Sequence, residues 1–384
     1  MGTDSHTEAT EAPVDLRTVL DARRAACPVD HDGAGTWTLL RHAHVVAAAL
    51  DPQTFSSAAG THRAIPNSLD GAEHAAYRAV VDRYLTEAAV AEQEPQCRAH
   101  AAAIVEALPR GSTIGAITEI GIPYAVRTQM TWLGWPAEIE DQLVVWIADN
   151  QDATRSGDRT RTAEVAARFD AIVGSLVRAR REAGDAASRD VTTRLLHERV
   201  EGNPLTDDEV VSILRNWTAG DLSSLATSLG VLVHRLATRP DRQEVTRDRV
   251  ARGAHSAIEA AIEEILRIDD PFVSSRRRTT REVVMGGHAI PAGDRVILNW
   301  TAANRDPSVF GDPDEFRPEA NAAANLVFGV GPHVCPGRAL TLMELRVAVV
   351  ELLAGTEELL PAPEPPIRER PPVGGWSHVP VVLV

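Results

Sequence analysis

One helix in this sequence is too long for a small domain, and it limits the folds open to the chain. Thr206-Asp207-Asp208-Glu209 is a capping box, with Thr at the cap and Glu three residues on. The helical pattern behind it runs to Arg235. At about 1.5 Å per residue such a helix is roughly 45 Å long and crosses most of a domain. Other elements must therefore wrap it, and with 384 residues, 44% of them apolar, the chain has the material. From Ala72 to about Asn216 helical patterns alternate with short breaks. In residues 163–182, Val165, Phe169, Ile172, Val173, Leu176 and Val177 recur at helical spacing. Residues 37–40 read as a short strand, 44–50 as a helix that Asp51-Pro52 breaks, and 56–73 as a loop. After Pro271 the texture changes. Short strands at 283–285, 290–293 and 296–298 are joined by Gly-containing turns, and 302–327 is irregular. A helix follows at 336–353, with short strands beyond it. Neither a repeat nor a linker interrupts this order. The expected fold is mainly α with a minor β part, one large helical domain over residues 14–384, behind a polar, disordered tail at 1–13.

A net charge of -15 argues against nucleic-acid binding, which needs a basic surface. All 39 basic residues are Arg, a side chain that grips carboxylates bidentately. Cys27, Cys97 and Cys335 are too few and too scattered for a disulfide framework, and no zinc-type Cys/His cluster is present. Residues 1–13 lack the apolar core of a signal peptide, and no run of about 18 apolar residues exists. These features predict a cytoplasmic protein without membrane attachment.

The chemistry is concentrated in Phe328-Gly329-Val330-Gly331-Pro332-His333-Val334-Cys335-Pro336-Gly337. Two glycines let backbone pass close to a flat ligand, where a Cβ would collide. Cys335 stands just before a helix, whose free N–H groups favour a thiolate, and Gly337 leaves room beside the sulfur. A lone cysteine is usually a small buried hydrophobe, but here the whole spaced pattern surrounds it. A dinucleotide loop fits poorly, because the third Gly and the acidic ribose partner are missing.

On these residues the chain resembles the cytochrome P450 family, from about Trp37 to Val384. Glu264-Ile265-Leu266-Arg267 matches that family's Glu-x-x-Arg, and Asn304-Arg305-Asp306-Pro307 and Asp312-Pro313-Asp314-Glu315-Phe316 match the stretch before its meander. The resemblance implies a triangular helical prism around a buried heme b (iron protoporphyrin IX). Cys335 would be the metal ligand, Phe328, Gly329 and Gly337 would shape its loop, and Ala219 and Gly220 would lie over the heme. His74 and Arg78, four apart on a helix, together with His333 and Arg277 would grip the propionates; Arg277 is the residue of the Arg276–Arg278 run that falls at the family's position.

Two departures stand out. The long helix of the family carries Ala-Gly-x-(Asp or Glu)-Thr, and this chain has Ala219-Gly220-Asp221-Leu222-Ser223. Leu222 cannot relay protons, whereas Ser223 keeps the hydroxyl and is placed to back-bond to the Ala219 carbonyl, opening the helix. Asp221 reads as an exposed charge first and as a substitute acid second. Asn216, on the face of Ala219 and Ser223, reads equally as a polar group above the heme or as a helix contact. In the meander, Ala320 stands where an Arg often completes a trio with Glu264 and Arg267, leaving Arg317 to fill the role or the trio reduced to a pair.

The implied function is a monooxygenase that activates O2 against a small organic substrate, with electrons from a separate ferredoxin and ferredoxin reductase. Leu222 keeps open a heme-thiolate enzyme of atypical chemistry, whether peroxide-driven, coupling or non-oxygenating, and a heme scaffold without turnover is a third reading. Substrate-lining candidates are loop 56–71 with Ile65 and Pro66, the stretch from Asn216 to Ser223, and Phe272 and Val273; His62 or Arg63 are candidates to meet a substrate carboxylate.

Overall fold

The capping box forms as its residues require. Thr206 Oγ1 accepts the Glu209 N–H at 3.3 Å and Glu209 Oε2 accepts the Thr206 N–H at 2.8 Å. In the computed structural model, which describes residues 15–60, 63–186 and 188–384, this cap opens a helix over Asp207–Thr238, three residues longer than expected at its far end. The proposed tail at 1–13 lies outside the described residues.

The helices in chain order are α1 (Leu16–Ala26), α2 (His42–Leu50), α3 (Gly71–Asp82), α4 (Glu87–Ala107), α5 (Ile122–Leu133), α6 (Glu140–Ser156), α7 (Arg159–Ala183), α8 (Val191–Leu195), α9 (Asp207–Thr238), α10 (Pro240–Ala251) and α11 (His255–Ile268). The one-turn helices α12 (Trp300–Ala303), α13 (Pro307–Phe310) and α14 (Pro318–Asn321) follow, then α15 (Arg338–Ala354). Helix makes up 58% and strand 12%, so the fold is mainly α with a minor β part. Helix α9 is the axis. It packs on α5, α7, α11 and α15, and on a π turn, Ala116–Gly121, that leads into α5. Gly121 permits that approach, because a Cβ there would lie 2.7 Å from the Ala226 carbonyl oxygen on α9. All six apolar residues anticipated on the 163–182 helix are buried on α7.

The β part is a five-stranded sheet in the order Val29–His31, Thr36–Leu39, Arg295–Asn299, Ser274–Thr279, Phe55–Ser56. Its core of Trp37, Leu39, Phe55, Val296, Leu298 and Trp300 is separate from the core around α9. The 283–285 strand pairs with His288–Ile290 through a turn at Gly286-Gly287, both at positive φ. Helix α1, unanticipated, docks on α12. Among the described residues no helix is long and apolar enough to cross a membrane.

The joint between helices and loop is a buried ion pair. Arg267 and Glu264 are 0% and 1% exposed, with N···O distances of 2.8 and 2.9 Å. Arg267 also donates to the carbonyls of Asn304, Pro313 and Glu315. The third partner of Glu264 is neither Ala320 nor the Arg317 guanidinium. Asn321 Nδ2 donates to Glu264 Oε1 at 2.7 Å and the Arg317 backbone N–H at 2.9 Å, while the Arg317 side chain pairs with Glu315 at the surface. A buried carboxylate needs its lone pairs filled, and an amide one residue beyond Ala320 fills one. Asn321→Ala is therefore expected to cost about 1.5–3 kcal/mol, and Arg317→Ala within about 0.5 kcal/mol. Denaturant unfolding of the two variants checks this; equal losses would contradict it.

Candidate active site

The loop before α15 is held from three sides. Leu326 N–H donates to Asn304 Oδ1, Asn325 Nδ2 donates to the Glu263 carbonyl, and Arg338 pairs with Glu263. Within the loop, Cys335 N–H donates to the Phe328 carbonyl at 2.8 Å. Gly329 and Gly331 have φ of +72° and +80°, where other L residues are strained. Gly331 is also held sterically, since a Cβ would lie 2.7 Å from the Ala49 carbonyl oxygen. The glycines thus serve the loop's own path and its approach to α2. Phe328 packs against the main core with the Arg338 guanidinium over its ring.

Cys335 is partly exposed at the end of this loop. Helix α15 begins three residues later, at Arg338. Burial raises the thiol to about 11, and a backbone bond from Gly337 only partly offsets this. In the chain by itself burial thus outweighs the Gly337 amide, which favours the thiolate. A Cβ at Gly337 would lie 3.8 Å from the sulfur, ordinary contact within the chain, and the Gly337 N–H is directed to the sulfur.

The basic residues converge beside this loop. Arg277 and Thr279 face inward along the strand Ser274–Thr279, and Arg276 and Arg278 face out, as strand alternation requires. Arg277 is 7% exposed. It has no ion pair among the described residues, donates to the Arg276 carbonyl, and has its pKa lowered by burial. His74, buried on α3, lies with its ring 4.1 Å from that of His333. Burial and neighbouring cations lower both imidazoles, His333 to about 4. Asp70, unnoticed in the sequence, is the acid here. It caps the Ser57 N–H and sits 3.6 Å from His333 Nε2, which Ser57 Oγ meets at 3.0 Å. Arg78 pairs with Asp82 and donates to the carbonyls of Pro332 and Val334, tying α3 to the cysteine loop.

Across from this cluster, α9 is buried on both sides of an opening. Gly220 is exposed and Asp221, Ser223 and Ser224 are partly so, while Trp217, Thr218, Leu222 and Leu225 are buried. A Cβ at Gly220 meets nothing within 4 Å; the side chain of Ala219 lies outside what is described. The back-bond falls one residue later than expected, with Ser224 Oγ donating to the Gly220 carbonyl at 2.7 Å. Ser223 Oγ is buried without a hydrogen-bond partner among the described residues. Asp221 is not an exposed charge. It accepts a hydrogen bond from Gln129 Nε2 on α5, and burial raises its carboxyl to about 6. Asn216 donates to the Ile65 carbonyl at 2.8 Å, and Ser212 Oγ accepts the Ile65 N–H at 2.9 Å, so α9 clamps loop 63–69 through both polar groups of one residue.

Beyond this clamp a cleft of about 870 Å³ opens between α7, α9 and the Ile65 loop. Arg63 is spent on Glu73 at 2.5 Å, and His62 lies outside the described residues. Val273 packs in a small core with Leu20, Leu40 and Ala302, while Phe272 is exposed.

The residues fit an anionic, flat, metal-bearing ligand: a buried guanidinium without an ion-pair partner among the described residues, two imidazoles in tilted contact, an orphaned hydroxyl and a sulfur at a fixed loop end. Fold and donor set together define a heme-dependent oxidoreductase. The comparisons agree. The family model for cytochrome P450 matches residues 151–361. The chain is 30% identical to erythromycin C-12 hydroxylase of Saccharopolyspora erythraea over 87% of this chain and 85% of that one. It is 27% identical to linalool 8-monooxygenase of Pseudomonas putida, over 85% and 84%. A mutant of P450 EryK, solved in complex with erythromycin B, superposes with a TM-score of 0.83 at 27% identity, covering 96% of each chain. The chain belongs to the cytochrome P450 family and is a heme b monooxygenase.

Arg277→Met is expected to leave the heme-free protein equally or more stable, because an unpaired buried cation is removed. Heme retention falls by roughly ten- to a hundredfold, the value of a charge-assisted hydrogen bond of about 1.5–3 kcal/mol. Heme transfer to apomyoglobin measures it, and retention equal to wild type would contradict the assignment.

Proposed function

We propose that Cys335 is the axial ligand of the heme, that His74, His333 and Arg277 hold its propionates, and that Arg78 braces the ligand loop. The observation that carries this is Arg277, a buried cation without an ion-pair partner among the described residues, beside the tilted ring pair His74–His333. Such a cluster is costly empty and favourable once carboxylates arrive. Bound there through a thiolate, the heme supplies oxygen activation, since the sulfur pushes electron density to iron and favours O–O cleavage. The chain's own residues do the rest. Gly337 donates its N–H to the sulfur. Asp70 and Ser57 orient His333. Ser223 holds a free hydroxyl at the opening in α9, and Asn216 with Ser212 keeps the Ile65 loop closed against it. Residues 14–384 act as one catalytic domain.

For the substrate we infer an organic molecule of natural-product size with polar groups, of the kind met in secondary metabolism. The cleft beyond the Ile65 clamp, which none of Gly220, Ser223, Arg277 or Cys335 lines, carries Arg178, Arg215, Asp170 and Asp208 in its wall, groups that would meet a polar molecule on its way in. The names erythromycin C-12 hydroxylase and cyclomarin C epoxidase among the relatives support that class. A ferredoxin with its reductase is the proposed electron donor, in the cytoplasm.

A second reading rests on Leu222, fully buried where the family carries an acid. It makes the protein a heme-thiolate enzyme of atypical chemistry, and product formed with peroxide but uncoupled from NAD(P)H oxidation in a ferredoxin system would favour it.

The test of the main reading is the absorption spectrum of the reduced protein under carbon monoxide. Wild type is expected to show the red-shifted Soret band of a thiolate-ligated heme, and Cys335→Ala to lose it. The same band in both proteins would overturn the ligand assignment. Substrates are then screened by the ferric spin-state shift.

A further inference from the structure

Three oxidisable rings touch one another next to the opening in α9. Trp217 lies on α9 three residues before Gly220, about 4.5 Å along the helix axis. Its ring centroid is 5.1 Å from that of Trp132, the penultimate residue of α5, and 5.6 Å from that of Tyr84, between α3 and α4. All three side chains are buried. The Tyr84 hydroxyl donates to Glu198 Oε1 at 2.9 Å, and the same carboxylate pairs with Arg83 at the surface. The Arg194 guanidinium stands over the Tyr84 ring at 4.8 Å. Trp217 Nε1, by contrast, is buried with no hydrogen-bond partner among the described residues.

Packing alone places aromatic rings in a core, but this group differs from the chain's other ring contacts in what its members can do. Elsewhere Trp37 meets His31, Trp146 meets Phe169 and Trp376 meets His234. Imidazole and benzene rings give up an electron far less readily than indole or phenol. Among the described residues, Trp132, Trp217 and Tyr84 are the only contact group made wholly of indole and phenol rings.

The hydrogen bonds set the order of events. An indole that has lost an electron is a strong acid, but no base meets the Trp217 N–H, so the charge does not settle there as a neutral radical. Tyr84 has its base in place. Its phenol can lose an electron while its proton moves to Glu198 along an existing hydrogen bond. Arg194 over the ring opposes a positive charge on it, so the proton must leave with the electron. The Glu198 side chain is 22% exposed, which opens the way from the carboxyl to water.

We propose that Trp217 and Tyr84 form a relay that discharges the heme when a peroxide has oxidised it and no substrate is there to attack. One electron passes from Trp217 to the heme centre, and one from Tyr84 replaces it. The Tyr84 O–H bond breaks, its proton forms an O–H bond on Glu198, and a neutral tyrosyl radical remains. The heme centre gains the one electron that the phenol loses. Trp132 shares the charge with Trp217 through their contact. This rests on the heme being held at Cys335 with Gly220 over it.

The test is electron paramagnetic resonance of the heme-loaded full chain, mixed with peracetic acid in the absence of substrate and frozen within milliseconds. Wild type is expected to give a tyrosyl signal, narrowed when the protein is made with ring-deuterated tyrosine. Tyr84→Phe should lose the signal while keeping the ring in place, and Tyr77→Phe and Tyr124→Phe should keep it. Trp217→Phe should lose it although Tyr84 is intact, and Glu198→Gln should lose it because the base is gone. Bleaching of the heme by peroxide should be faster in Tyr84→Phe than in wild type. Should Trp217→Phe fail to retain heme, Tyr84→Phe and Glu198→Gln decide. A tyrosyl signal that survives Tyr84→Phe, or a wild type whose heme is oxidised without any protein radical, would overturn the relay. A wild type that takes up no heme would overturn the cofactor site instead.

Discussion

The sulfur of Cys335 is positioned by a buried ion pair that it does not touch. Arg267 uses its planar fork to hold Glu264 and three carbonyls of the segment before the ligand loop. Asn304 passes the connection on, accepting Arg267 at its carbonyl and the Leu326 N–H at its side chain. The loop can then keep Gly329 and Gly331 at positive φ and end at Cys335, whose N–H closes back on the Phe328 carbonyl. Breaking such a pair by removing one partner costs about 3–5 kcal/mol, because the other charge stays buried. A lysine could not replace Arg267, having a point charge where a five-donor fork is in use.

The site is made by exceptions to the pairing seen elsewhere. Most buried charges here meet a partner, and Arg305 meets two, Asp21 and Asp314. At the site the balance is left open. Arg277 has no ion pair among the described residues, and the acid nearest the two histidines is Asp70. That imbalance suits an anionic ligand.

Features set by local rules were legible in the sequence. The capping box, the apolar face of α7, the Gly-Gly turn and the cysteine loop follow from spacing alone, and the alternation of the Arg276–Arg278 run singles out Arg277 once the strand is known. What escaped depends on neighbours distant in the chain. Asn321 filling the third place at Glu264, Asp70 beside His333, and Gln129 turning Asp221 inward each need a contact from another element. The back-bond at Ser224 rather than Ser223 was a choice between adjacent hydroxyls on one helix, which spacing does not decide. The two carbonyls of the cysteine loop that Arg78 reaches, Pro332 and Val334, are likewise set by the folded loop and not by spacing.

The ligand bond itself is tested most directly by iron-edge X-ray absorption on the heme-loaded ferric protein. A sulfur scatterer in the first shell of wild type, lost in Cys335→Ala, is the predicted result. A first shell of nitrogen and oxygen alone in wild type, or sulfur retained after the substitution, would contradict it.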